Sequence, residues 1–260
     1  MALIELKGIT RIYGEGETEV RALNGIDLSI ERGEIIALMG PSGSGKTTLL
    51  NIIAALDVPT EGEYLFESQE VPKENVESMT TFRRENIGYI FQFFNLLGDL
   101  TALENVLLVQ ELAGVRDKEL AISQLKEVGL EGLEDRFPAQ MSGGQRQRVA
   151  IARSLAKKPN IILGDELTGN LDSETSSQVM DSLIDTCRDG DLTTIFVTHD
   201  TSLTRFATRV INLDSGRVVS DEPGGLATIS GQARSAAKDI AKGAKNIVES
   251  IKDAAKDFIG

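Results

Sequence analysis

A chain of 260 residues, 41% of them hydrophobic, is long enough to bury one substantial core together with a subdomain or an appendage. Its formal charge of −13 argues against a nucleic-acid surface, which needs clustered Lys and Arg to neutralise phosphates. No run approaches the roughly 18 to 20 apolar residues of a membrane span, no basic-then-apolar leader opens the chain, and a lone Cys187 allows no internal disulfide, so a soluble intracellular protein is expected.

The first 35 residues alternate apolar and polar positions in "LIELKGITRIY" and "RALNGIDLSIERGE", which predicts β-hairpins. A short apolar run, Ile35 to Met39, then predicts a buried strand. It leads into "GPSGSGKTT", which fits G-x-x-x-x-G-K-[ST] between a strand and a helix expected over about Lys46 to Leu56. In such a loop backbone amides wrap phosphates. The candidate contacts are Gly40, Pro41, Ser42, Gly43, Ser44, Gly45, Lys46, Thr47 and Thr48, with Lys46 as a point charge on the β- and γ-phosphates and the Thr47 hydroxyl as a hard ligand for magnesium.

Between positions 92 and 142 the pattern turns helical. "TALENVLLVQELAG" carries a Thr101 cap with Glu104 three residues on, and "DKELAISQLKEVGL" repeats the spacing. In "MSGGQRQRV", Ser142 is a good N-cap, and apolar residues recur at helical intervals from Gln145 on. A capped helix end presents free amides to an anion. Gly143 and Gly144, having no side chains, would make room for a phosphate there.

Downstream, Ile161 to Leu163 read as a parallel strand ending in Asp165 and Glu166, placed where ligands sit in open α/β sheets. Asp165 is the candidate metal organiser and Glu166 the base for a water in line with the γ-phosphate. His199, the only histidine, follows a second such strand, "TTIFV", and is the candidate polar contact to the same phosphate.

The P-loop, "MSGGQRQRVAIARSLAKKPNIILGDE" and "FVTHD", in that order, resemble the ATPase subunit of an ABC transporter over about residues 2 to 220. The resemblance implies a P-loop NTPase (RecA-like) α/β core, an antiparallel β subdomain, and a helical subdomain over about 95–158. It also assigns roles: Tyr13 as the ring that stacks on adenine, Gln92 as the glutamine that touches magnesium and senses the membrane subunit, Ser142, Gly143, Gly144 and Gln145 as the signature, and Asp172 as the D-loop aspartate. It implies ATP and Mg2+ as cofactors and a head-to-tail homodimer, or a heterodimer with a related subunit, in which each signature faces the other chain's nucleotide. The further partner implied is a separate transmembrane permease, with the chain peripheral on the cytoplasmic face of the membrane.

"LDVPTEGEY", "NLLGDLTALENV" and "LTGNLD" are most similar to the exporter branch with lipoprotein-release, macrolide-efflux and cell-division-type ATPases. A regulatory or scaffold protein of that branch, moving no cargo, is the alternative reading. Departures stand out at Met141, where the signature usually begins with Leu, and after the acidic pair, where Leu167 stands for the usual Pro and Gly164 for a common Ala.

The chain is read as an ATPase domain over 1–228 and an extension over 229–260. The extension has net charge +2, leaving −15 for the domain. Its Ala, Ile and Phe residues recur in alternating steps of four and three, an amphipathic helix that packs on its own domain or dimer partner, or lies on a membrane surface.

Overall fold

The computed structural model describes residues 2–189 and 192–227, so the extension read as a helix lies outside the described residues. Strands β1 (Ala2–Tyr13) and β2 (Val20–Glu31) form one long antiparallel hairpin rather than several short ones. Next come β3 (Ile35–Met39) and α1 (Lys46–Ile53), followed by β4 (Glu61–Phe66), β5 (Gln69–Glu70), α2 (Val76–Asn86) and β6 (Ile87–Ile90). Helices α3 (Ala102–Leu112), α4 (Lys118–Glu127) and α5 (Gly143–Leu155) precede β7 (Ile161–Asp165), α6 (Ser173–Asp189), β8 (Thr193–Val197), β9 (Arg209–Asp214) and β10 (Arg217–Pro223).

Two sheets result. One is antiparallel, in the order β2-β1-β4-β5; the other runs β10-β9-β3-β8-β7-β6, with every pair parallel except β9 with β10. The parallel strands are covered on both faces, which is why they read as continuous apolar runs. Ala37, Ile162 and Phe196 point into a core shared with α3 to α6, whereas Ile36, Leu38, Leu163 and Ile195 point into a second core shared with α1 and the antiparallel sheet.

Local chemistry explains most element ends. Thr101 and Glu104 form the expected capping box on α3: the Thr101 hydroxyl accepts from the Glu104 amide at 3.2 Å, and the Glu104 carboxylate accepts from the Thr101 amide at 2.8 Å. Asp117 caps α4 with one such bond, its carboxylate accepting from the Leu120 amide at 2.9 Å. Helix α1 stops at Ile53, short of the expected Leu56. The Ala55 amide donates to Ile52 O and the Leu56 amide to Asn51 O, both at 2.9 Å, with Ala55 at φ +52°. These are the two bonds of a Schellman motif, built here on a buried alanine at a strain of about 1 kcal/mol relative to glycine.

Candidate active site at the strand ends

Four adjacent strands of the mixed sheet deliver the chemistry. β3 runs into the glycine-rich loop, β8 into His199, β7 into Asp165 and Glu166, and β6 into Gln92; because these strands are parallel, their C-terminal ends lie on one edge. A cavity of about 460 Å³ opens there, lined by Gly40, Ser42, Gly43, Gly45, Lys46, Thr47, Thr48, Glu166, His199 and, from the hairpin, Val20, Arg21 and Ala22.

Glycine is required at two points of this loop for reasons beyond the phosphates. Gly40 has φ +140°, and a Cβ there would meet Leu213 O at 2.0 Å; Gly45, at φ +102°, would meet Ala22 O at 2.5 Å. The loop therefore passes hard against β9 and β2. Lys46 Nζ donates to Gly40 O at 2.9 Å and to Pro41 O at 2.7 Å, so its ammonium is folded over the loop's own carbonyls. Ser44 is buried, with its Oγ 3.4 Å from Lys46 Nζ.

The acidic pair occupies two environments. Asp165 Oδ1 lies 3.5 Å from Thr47 Oγ1. Burial raises its pKa, an effect opposed by the Thr47 hydroxyl and Lys46 and reinforced by Glu166. Glu166 stands at φ +47°, a left-handed conformation costing about 1 to 2 kcal/mol in a non-glycine residue. Its two carboxylate oxygens face different neighbours: Gln92 Nε2 donates to Oε2 at 3.0 Å, and His199 Nδ1 lies 3.6 Å from Oε1.

Not every expected residue joins this cavity. Tyr13 is outside its lining: its hydroxyl donates to Asp57 Oδ2 at 2.6 Å, and the Arg11 guanidinium covers its ring at 4.6 Å. Ser142, Gly143, Gly144 and Gln145 are also absent from the lining, as are Asp172 and, at its margins, Pro41, Ser44, Gln92 and Asp165. Helix α5 begins at Gly143, two residues before the apolar periodicity starts. Ser142 Oγ accepts from the Gln145 amide at 3.2 Å, while Gln145 Oε1 accepts from the Ser142 amide at 2.8 Å.

Within the chain, the glycine pair is needed for packing. A Cβ on buried Gly144 would meet Thr175 Cγ2 at 2.4 Å, and one on Gly143 would meet Leu171 Cδ2 at 3.1 Å. Helix α6 therefore packs on the side of Gly144 from which a Cβ would project. Asp172 caps α6, accepting from the Thr175 amide at 2.9 Å and its hydroxyl at 2.7 Å, and these bonds hold its carboxyl below the usual range.

Three residues that sequence patterns did not single out tie the site together. Asn170 Nδ2 donates to Gln92 O at 3.1 Å, and Arg153 donates to Phe94 O and Asn95 O, so the segment after Gln92 is held by both β7's loop and α5. Buried Asn105 accepts from the Leu97 amide at 2.9 Å and donates to Leu97, Leu100 and Thr101 carbonyls. A polar residue within a helical pattern carries no signal of such a role.

Among known proteins, the ABC transporter family model matches residues 23–169. The lipoprotein-releasing system ATP-binding protein LolD of Geobacter metallireducens is 43% identical over 223 residues, 85% of this chain and 99% of that protein. The macrolide export ATP-binding/permease protein MacB 1 of Aeromonas hydrophila is 46% identical over 222 residues, 84% of this chain but only 34% of its own length. A dimeric structure of a post-hydrolysis state of the cassette MJ0796 bound to ADP and Pi, from Methanocaldococcus jannaschii, superposes with a TM-score of 0.77 at 42% identity, covering 85% of this chain and 98% of that one. Motif order, strand-end geometry and these likenesses agree, and the chain belongs to the ABC transporter family.

Proposed function

We propose that this chain is the ATP-hydrolysing subunit of an exporter or lipoprotein-extraction type of ABC transporter, working as one half of a head-to-tail dimer. The observation that carries the reading is the meeting of Glu166 with Gln92 and His199 on the strand edge beside Lys46. In this reading Glu166 accepts the proton of a water that attacks the γ-phosphorus, and ADP and phosphate leave. Lys46 exchanges its loop carbonyls for phosphate oxygens, Gln92 orients the Glu166 carboxylate, and His199 donates toward the γ-phosphate.

Thr47 and Asp165 suit magnesium: both offer hard oxygens, they lie 3.5 Å apart, and a divalent cation would offset the burial that disfavours the Asp165 carboxylate. Bound there, the ion would neutralise charge on the β- and γ-phosphates. We place Tyr13 against adenine, and Ser142, Gly143, Gly144, Gln145 and Asp172 against the nucleotide held by the other chain. Closure around ATP and release after hydrolysis then become the motion passed to the permease.

The permease contact is assigned to the groove beside the Gln92 loop. It is a cavity of about 420 Å³ with Leu56, Phe91, Leu97 and Val109 on its walls and Arg83, Arg153 and Lys157 at its rim. We further assign 1–228 to the ATPase unit, 229–260 to an appended segment in contact with a partner or a membrane surface, and the chain to the cytoplasmic face. Among the described residues no helix is long and apolar enough to cross a membrane.

The deciding measurement pairs steady-state ATPase with size-exclusion chromatography. Glu166→Gln is expected to lose at least about 100-fold in phosphate release and to run as a dimer with ATP. Equal turnover by both proteins overturns the base assignment, and a monomer at every concentration overturns the shared site.

A further inference from the structure

Glu166 holds its left-handed conformation in a turn whose next residue, Leu167, folds back onto the strand that delivers it. Leu167 is 3% exposed and belongs to the core between the mixed sheet and α3 to α6. The space it fills is the space a side chain at position 164 would fill: a Cβ on Gly164 would lie 2.5 Å from Leu167 Cδ2, 2.6 Å from Cγ and 2.8 Å from Cδ1.

Gly164 is paired on both sides, with Ile90 of β6 and Phe196 of β8. Its missing side chain therefore leaves a notch in the inner face of a rigid element rather than at a frayed end. Five residues on, the Gly169 amide donates to Glu166 O at 3.0 Å and closes the turn. Glu166 is thus held between a buried anchor and a closed turn.

We propose that Gly164 and Leu167 act as a lock and key that positions Glu166, so that turnover depends on a leucine seated in a glycine notch directly behind the base. Leu167 is a positioning residue, an apolar side chain that acts on the reaction only through Glu166. A displacement of the base by a fraction of an ångström weakens proton transfer while leaving the P-loop, which binds the nucleotide, in place. The inference rests on Glu166 being the base.

The test is a cycle in the full chain: Gly164→Ala, Leu167→Ala, Leu167→Val, and Gly164→Ala combined with Leu167→Ala, with Glu166→Gln beside them. ATPase kcat and KM are measured together with ATP affinity in the absence of turnover. Gly164→Ala and Leu167→Ala are each expected to lower kcat by on the order of tenfold or more with ATP affinity within about threefold of wild type. Leu167→Val should lower kcat by about threefold. The double variant refills the notch with a methyl group and should recover at least about fivefold over Gly164→Ala.

Wild-type kcat in Leu167→Ala and Leu167→Val overturns the proposal, and so does a double variant no faster than Gly164→Ala. Should Gly164→Ala fail to fold, the two leucine variants, with intact ATP affinity, still decide. Wild-type turnover by Glu166→Gln removes the base assignment itself, an outcome distinct from a dead Glu166→Gln beside fully active leucine variants.

Discussion

Gln92 Nε2 and Glu166 Oε2 are 3.0 Å apart, a hydrogen bond between the ends of two neighbouring parallel strands 74 residues apart in sequence. Because the Gln92 carbonyl also accepts from Asn170, any shift of the loop after β6 is felt at the carboxylate. The loop that borders the groove proposed for the permease and the carboxylate proposed as the base are thus one hydrogen-bonded unit.

Gln92→Ala is therefore expected to lower kcat by about tenfold, while Gln92→Glu, which sets a second carboxylate against Glu166, lowers it further. Steady-state ATPase at saturating MgATP distinguishes them. Equal activity in both variants would mean that the contact does not orient the base.

Gly144 is expected to be a packing glycine as well as a signature residue. Gly144→Ala places a methyl 2.4 Å from Thr175 Cγ2 and should destabilise the fold by about 1 to 3 kcal/mol in urea unfolding. Adding Thr175→Ser removes that methyl while keeping the hydroxyl on Asp172, and should restore most of the loss. Stability restored with ATPase still absent would separate the trans role from the packing role.

Lys157 marks the groove electrostatically. Burial, aided by the charges of Arg84 and Arg83, lowers its pKa from 10.5 to about 8, and its ammonium donates to Arg83 O. Among the described residues, no carboxylate lies in ion-pair range of Arg83, Arg153 or Lys157. The unfolded chain keeps this proton up to about 10.5, so wild-type stability should rise as pH climbs from about 8 to 10.5. Lys157→Met should stabilise the isolated chain at pH 7 by on the order of 1 kcal/mol, or a few degrees in Tm, with the gain shrinking across that window. An acidic permease segment in the groove would raise this pKa, so association should weaken as pH rises above about 8.

Thr101→Ala removes one half of a reciprocal cap on α3 and should cost about 1 kcal/mol in thermal or urea unfolding, with ATP affinity unchanged. A loss of ATP affinity would connect α3 to the nucleotide site more directly than the structure places it.

The tail gives a separate test of membrane contact. If residues 229–260 bind a surface, the full chain should sediment with anionic vesicles, and a chain ending at 228 should not. No difference between the two would leave packing on the domain or a partner.

The elements legible in the sequence were those whose signal is local. Ile35 to Met39 is a continuous apolar run and Thr193 to Val197 a run of β-branched and aromatic residues, and both are strands over those bounds. Thr101 and Glu104 announced a helix start by spacing alone. Strands β4, β5, β9 and β10 carried no such mark, because β4 and β5 complete an edge whose other strands lie some 50 residues earlier, and β10 is mostly exposed beside β9. Likewise Gly164 and Leu167 were visible as two separate departures, with nothing to join them.

By itself the sequence determined the chemistry on offer: a phosphate loop, a pair of carboxylates after a strand, one histidine and a capped glycine pair, since residue type and near-neighbour spacing define donors, acceptors and caps. The tertiary structure alone decided which of these meet. Parallel pairing brings Gln92, Glu166 and His199 to one edge, the α5 to α6 contact claims Gly144 for packing, and a strand glycine leaves the notch that Leu167 fills. Those are contacts between segments distant along the chain, where fit is set by volume and register rather than by any local preference.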